Sequence, residues 1–143
     1  LLDLNNIRHG IELGTVLGIP YVPSMHTVLS RVDKSGKLMG GFIFTDYTGP
    51  CITVHMAGIR PGWMNRAIMW VLFDYPFIQL RTDKLLAPVS SGNAVTIGIA
   101  SRLGFHEVAR VPGVYKDGDL ILMATTPIQC RWLTRPSPMK EAA

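Results

Sequence analysis

The sequence predicts an α/β chain of the α+β kind, a mixed sheet with helices packed on it. Three observations predict it. Ser90 to Phe105 reads as a strand end, a tight turn, an Asn start signal, about three helical turns, a glycine stop and an aromatic opening the next strand. Two polar turns, Asp33-Lys34-Ser35-Gly36-Lys37 and Lys116-Asp117-Gly118-Asp119, separate apolar runs as hairpin turns do. Two longer stretches, Asn5 to Gly18 and Arg60 to about Tyr75, carry apolar residues near helical spacing.

In chain order, Asn5 or Asn6 caps a first helix whose apolar residues are Ile7, Ile11, Leu13, Val16 and Leu17, and Gly18 stops it. Ile19 to Met25 holds two prolines and reads as a connection. His26 to Val32 and Leu38 to Tyr47 are the strands of a hairpin, and Gly49-Pro50 turns the chain into a third strand, Cys51 to Met56. The Arg60–Tyr75 helix is opened by Pro61 and broken around Pro76. Met64, Ile68, Trp70, Val71 and Leu72 surround its axis, which predicts deep burial. Lys84 to Val89 is a short apolar strand. In the helix that follows, the Asn93 side chain can accept an orphan N–H, and Gly104 suits the left-handed stop. Phe105 to Val111 and Asp119 to Thr125 complete the strands.

By length, 143 residues make one domain, read over 1–126, with a tail over 127–143 whose Pro-, Ser- and Lys-bearing end is partly loose. Apolar residues at 48% against 17% charged exclude a disordered chain. No apolar run approaches the roughly 20 residues of a membrane span. With no basic-then-apolar leader, the expected place is a cytoplasm. Cys51 and Cys130 have no metal spacing, so no metal site or disulfide framework is expected. The net charge of +4 suits an anionic, nucleotide-bearing partner. The basic residues are scattered without interleaved aromatics, which argues against nucleic acid.

The Asn93-to-Phe105 run resembles the strand–helix–strand near the C-terminus of the GNAT acyltransferases, and the element order resembles a GNAT domain over roughly residues 5–126, N-terminally reduced. Gly62-Trp63-Met64-Asn65-Arg66, Phe73-Asp74-Tyr75-Pro76-Phe77 and Cys130-Arg131-Trp132-Leu133 are similar to small GNAT-like proteins of bacteriophages and prophages. The resemblance implies an N-acetyltransferase that takes acetyl-CoA as co-substrate and an amine as acceptor. It also implies a bacterial or infected-host cytoplasm, or a virion with other virion proteins as partners.

In the family, a loop of the form Arg/Gln-x-x-Gly-x-Gly/Ala holds the coenzyme A pyrophosphate at a helix N-terminus, where unsatisfied N–H groups and the dipole favour an anion. Arg60 falls on the first position, Trp63 on the first glycine and Asn65 on the second, with Gly62 one place early. An indole there blocks phosphate, packs against the ligand or belongs to the core, as Met64, Met69 and Trp70 are expected to. Arg60 and Arg66 offer guanidinium forks to phosphate. Asn93 matches the family Asn that contacts the pantetheine arm, a role compatible with a plain cap. The family's acidic tyrosine, seven residues beyond that Asn, is replaced by Ala100.

Amine attack on a thioester needs a base, because a lysine-like amine is protonated near neutrality. The strand Cys51-Ile52-Thr53-Val54-His55-Met56 lacks the family carboxylate, but alternation puts Cys51, Thr53 and His55 on one face. His55 is the candidate base or acceptor-positioning residue, against a structural histidine. Glu12, Asp46 and Glu107 are further carboxylates, Tyr115 a substitute acid, and Cys51 a nucleophile with nothing nearby to lower its pKa. The alternative function is a GNAT-like structural or binding module without catalysis, favoured by Trp63, Ala100 and the missing carboxylate.

Overall fold

The computed structural model describes residues 1–134. Seven strands form one sheet in the order β1-β2-β3-β4-β5-β7-β6. They are β1 (Leu2–Leu4), β2 (Thr27–Val32), β3 (Leu38–Thr45), β4 (Cys51–Gly58), β5 (Lys84–Ser90), β6 (His106–Tyr115) and β7 (Gly118–Thr125). Three α-helices pack on the sheet: α1 (Ile7–Leu17), α2 (Arg66–Phe73) and α3 (Ala94–Leu103). Every neighbouring pair is antiparallel except β4 and β5. The strand before the first helix is therefore present, though only three residues long.

The period-2 alternation of β3 divides the core between two faces. Ile43 points to the α1 side, where it meets Leu13, Val28, Leu38 and Ala57. Phe42 and Phe44 point to the α2–α3 side with Ile52, Val54, Ile68, Leu72, Leu85, Ala87 and Met123. Asn6 caps α1 by accepting from the His9 N–H, and Gly18, at φ 71°, closes it. Asn93 caps α3 by accepting from the Thr96 N–H at 3.1 Å, and Gly104 ends it in the left-handed region. Both helices keep the limits their cap residues predict.

The long helix does not. It begins at Arg66, not Arg60, because the Asn65 side chain accepts from the Ile68 N–H at 2.9 Å. Pro61 lies in the preceding loop instead of the first helical turn. Pro76 does not break the helix: residues Asp74–Gln79 widen into a π-helical turn, as a residue without an N–H permits. Burial is one-sided too, with Ile68, Leu72 and Phe73 in the core while Trp70 and Val71 are half-buried. After β7, Cys130 enters the core and Trp132 donates its indole N–H to the Leu103 carbonyl at 3.0 Å. The rest of the tail, 135–143, lies outside the described residues.

Candidate active site

The parallel pairing of β4 and β5 covers only Cys51↔Lys84, Ile52↔Leu85 and Thr53↔Leu86. Beyond it β4 continues to Gly58, still laddered to β3, and β5 continues to Ser90, still laddered to β7. Each strand keeps one partner and loses the other, so the sheet opens as a wedge between Val54–Gly58 and Ala87–Ser90. The edges facing that wedge carry peptide N–H and C=O groups, and an extended amide-bearing ligand can pair with such groups.

The loop from Ile59 to Asn65 closes the α2–α3 side of the wedge. Its shape follows from two anchors. Trp63 is buried at 8% exposure, edge-on to Phe42 with ring centroids 5.5 Å apart. The indole lies on Gly40 of β3 and Gly58 of β4: a Cβ on Gly40 would sit 2.7 Å from the ring, and one on Gly58 would overlap the indole nitrogen. Of the roles open to Trp63, the ring's seat on the sheet makes it core, and its remaining edge lines both clefts beside the loop. The second anchor is Arg31 of β2, whose guanidinium donates to the carbonyls of Gly62 and Trp63. In a trans peptide the following N–H points opposite to the carbonyl. The N–H groups of Trp63 and Met64 thus point away from Arg31, and that of Met64 makes no hydrogen bond to a described residue. Gly62 takes the left-handed conformation, φ 77°, that this reversal uses.

Two adjoining clefts flank the loop. One, of about 300 Å³, runs between Met56 and Gly58 of β4, Pro61, and Val95, Thr96 and Ile99 of α3. The other, of about 550 Å³, lies between Met64, Met69, Ile99, Arg102 and Trp132. Arg60 does not hold out a free guanidinium; it is paired with Asp33. The carboxyl of Asp33 is held down to about 2, first by the Ser35 hydroxyl and the Lys37 N–H and last by Arg60 itself. Arg66 is exposed at the start of α2 and makes no ion pair among the described residues. Asn65 spends its side-chain oxygen on the α2 cap.

His55 lies on the other face of β4, beside Ile43 and towards α1. Its Nε2 is 3.1 Å from Thr45 Oγ1, which in turn donates to Asp46 Oδ2 at 2.8 Å. Burial pushes the imidazole below the ordinary histidine value; Asp46 opposes the shift and His26 adds to it. The ring is therefore neutral at pH 7, as a base must be.

No protein-family model matches the chain, and no curated protein sequence does. Solved structures do. A spermidine/spermine N-acetyltransferase, SpeG from Vibrio cholerae, is 16% identical, with 94% of this chain and 99% of that chain covered at TM-score 0.69. The same enzyme in complex with CoA and spermine gives 13% identity, 93% and 98% coverage and TM-score 0.67. A ribosomal-protein-S5-alanine acetyltransferase from Vibrio fischeri gives 16% identity, 79% and 66% coverage and TM-score 0.62. This is the GNAT fold.

Within the GNAT fold, the remaining expected residues separate clearly. Asp46 reaches the His55 cluster. Glu107 pairs with Arg110 on the exposed strand β6, and Tyr115 is exposed at the β6–β7 hairpin. Glu12 lines a separate cleft of about 640 Å³ with Asp3, Arg8 and His9. Cys51 sits where β4 and β5 are still joined, and burial raises its pKa, so it stays a thiol. Ala100 is fully buried and faces the core with Leu103. Among the described residues no group of three His, Cys, Asp or Glu side chains is arranged to hold a metal ion, and no helix is long and apolar enough to cross a membrane. The sequence reading missed Arg31, Thr45, Val95, Thr96, Ile99, Arg102 and Trp132. Helical spacing from Asn93 could have found Thr96, Ile99 and Arg102, each three residues beyond the last along one face of α3.

Proposed function

We propose that the protein is an N-acetyltransferase that moves an acetyl group from acetyl-CoA to a primary amine. One observation carries the reading: the β4–β5 wedge has an anchored loop on one face and a neutral histidine on the other. The site fits the co-substrate on its own geometry. The wedge edges suit the amides of a pantetheine arm. The outward N–H groups before α2, with Arg66 exposed at its first turn and Arg102 lining the larger cleft, suit phosphate. When bound, acetyl-CoA supplies a thioester whose carbonyl carbon bonds to the amine nitrogen as its C–S bond breaks and the thiolate leaves.

The chain's own residues do the rest. His55 takes the proton that the amine loses, from the α1 side of β4, while the clefts hold the nucleotide end on the opposite side. Ala100 offers no proton, so the departing thiolate takes one from water. The amine is of the kind named for the similar enzymes, a polyamine such as spermidine or an alanine of a protein.

Calorimetry with acetyl-CoA tests the reading first. Binding that weakens with salt is expected, because phosphate contacts are charge-assisted. Release of free thiol with a panel of amines, polyamines and N-terminal peptides included, then identifies the acceptor. Absence of binding at millimolar acetyl-CoA and low salt overturns the reading in favour of a module that kept the fold without the reaction.

A further inference from the structure

We propose that Thr45 and Asp46 are positioning residues that fix His55 in the tautomer carrying its hydrogen on Nε2, which leaves Nδ1 as the proton acceptor. The use of Nδ1 rests on the acetyltransferase reading; the tautomer does not. Thr45 Oγ1 lies 2.8 Å from Asp46 Oδ2 and 3.1 Å from His55 Nε2. A hydroxyl has a single hydrogen, and an ionised carboxylate can only accept. The Thr45 hydrogen therefore goes to Asp46, and the hydroxyl offers only a lone pair to the histidine. Nε2 must then be the donor.

The backbone holds this arrangement. Thr45 is buried at the end of β3, directly opposite Thr53 of β4 and two residue pairs from Ile43↔His55, hence on the same face. Its β-branched side chain has few rotamers to choose from. Asp46 stands at φ 55°, a left-handed position that Asp tolerates better than most residues. That turn brings the carboxylate back to the hydroxyl of the preceding residue. Nδ1 makes no hydrogen bond to a described residue. Thr125 Oγ1 is the one buried side-chain polar atom without a partner among the described residues, so Nδ1 reaches solvent.

Long-range ¹H–¹⁵N correlation spectra of the ¹⁵N-labelled protein read the tautomer directly, with His55→Gln assigning the ring among the four histidines. The wild type is expected to show the Nε2–H form alone, Thr45→Ser to keep it, and Thr45→Val to lose it in favour of a mixture. A wild-type ring protonated on Nδ1, or a Thr45→Val spectrum identical to wild type, overturns the proposal. In the acetylation assay Thr45→Val is expected to lower kcat about 10–100-fold, the size of effect that follows loss of the partner orienting a metal-bound histidine. KM for acetyl-CoA should stay unchanged, and Thr45→Ser should restore kcat. The two readings fail separately. Acetylation by a protein whose His55 is protonated on Nδ1 sinks the relay alone. An Nε2–H ring in a protein that acetylates nothing keeps the relay and sinks the enzyme.

Discussion

The two faces of β4 are built on opposite principles. Towards α2 and α3, Met56 and Gly58 look onto a surface made by packing, where an indole rests on two glycines and a guanidinium ties down the loop above it. Towards α1, His55 looks onto a polar relay of a hydroxyl and a carboxylate, with His26 close enough to be felt. The first face fixes where backbone goes, and the second fixes where a proton goes. A strand with alternating side chains can serve both because its neighbours differ on the two sides. Damage to the first face should therefore show in stability and cofactor affinity together, and damage to the second in turnover alone.

The largest expected effect comes from Trp63→Ala. Removing a buried indole costs about 3–5 kcal/mol, and coenzyme A affinity should fall with it because the loop loses its floor contact. Urea melts with and without coenzyme A measure both. A variant as stable as wild type would mean the indole is not core, and the contrast between the faces would collapse on this side.

His55→Gln should do the reverse. Turnover is expected to drop by about 10²–10⁴-fold with acetyl-CoA affinity nearly unchanged. The same face predicts a pH dependence. Burial lowers the pKa of His55, so the neutral base persists below the ordinary value of about 6.5. Activity should hold as pH falls through 6.5 and decline only below it. The stability sign agrees: the unfolded chain binds the proton more readily, so stability falls with pH below about 6.5 until the folded group titrates. An activity that is already halved above pH 7 would assign the rate to another group.

Much of this was legible in the sequence where the signal is local. Asn93 and Gly104 mark the ends of α3 because cap chemistry acts over one turn, and Asp33 to Lys37 turns where a polar turn should. The start of α2 was misread for the same reason. Pro61-Gly62 imitates an opening, while Asn65 does the capping; both signals are local, and only the loop's anchors decide between them. The sequence could not choose core over ligand contact among the roles open to Trp63. Its floor is made by Gly40 and Gly58, which meet only when β3 and β4 pair. The face of His55 could be read from alternation, but the Thr45–Asp46 relay needed the β3–β4 register and a left-handed aspartate.

Gly58→Ala sharpens the packing side with a smaller change. A Cβ there overlaps the indole nitrogen, and overpacking of this kind costs about 1–3 kcal/mol. Combined with Trp63→Phe, which removes the nitrogen-bearing ring, the glycine substitution should cost less than it does alone. Equal costs in both backgrounds, measured as a double-mutant cycle, would show that the two do not touch.

The smallest expected effect separates a cap from a contact at Asn93. Its side-chain oxygen accepts from the Thr96 N–H, while its side-chain NH₂ has no partner among the described residues. The residue stands at the mouth of the wedge, just after Ser90 of β5 and before Val95 and Thr96, which line the smaller cleft. Serine caps about as well as asparagine, whereas alanine costs about 1 kcal/mol. Asn93→Ala should therefore lower the melting temperature, and Asn93→Ser should not. If the NH₂ meets the pantetheine arm, both variants lose that hydrogen bond, and coenzyme A binding weakens about 2–10-fold in each. Asn93→Ser binding coenzyme A as wild type does would leave Asn93 a cap and nothing more. The decisive variant is the serine, because it alters the ligand's side of the residue while leaving the helix's side in place.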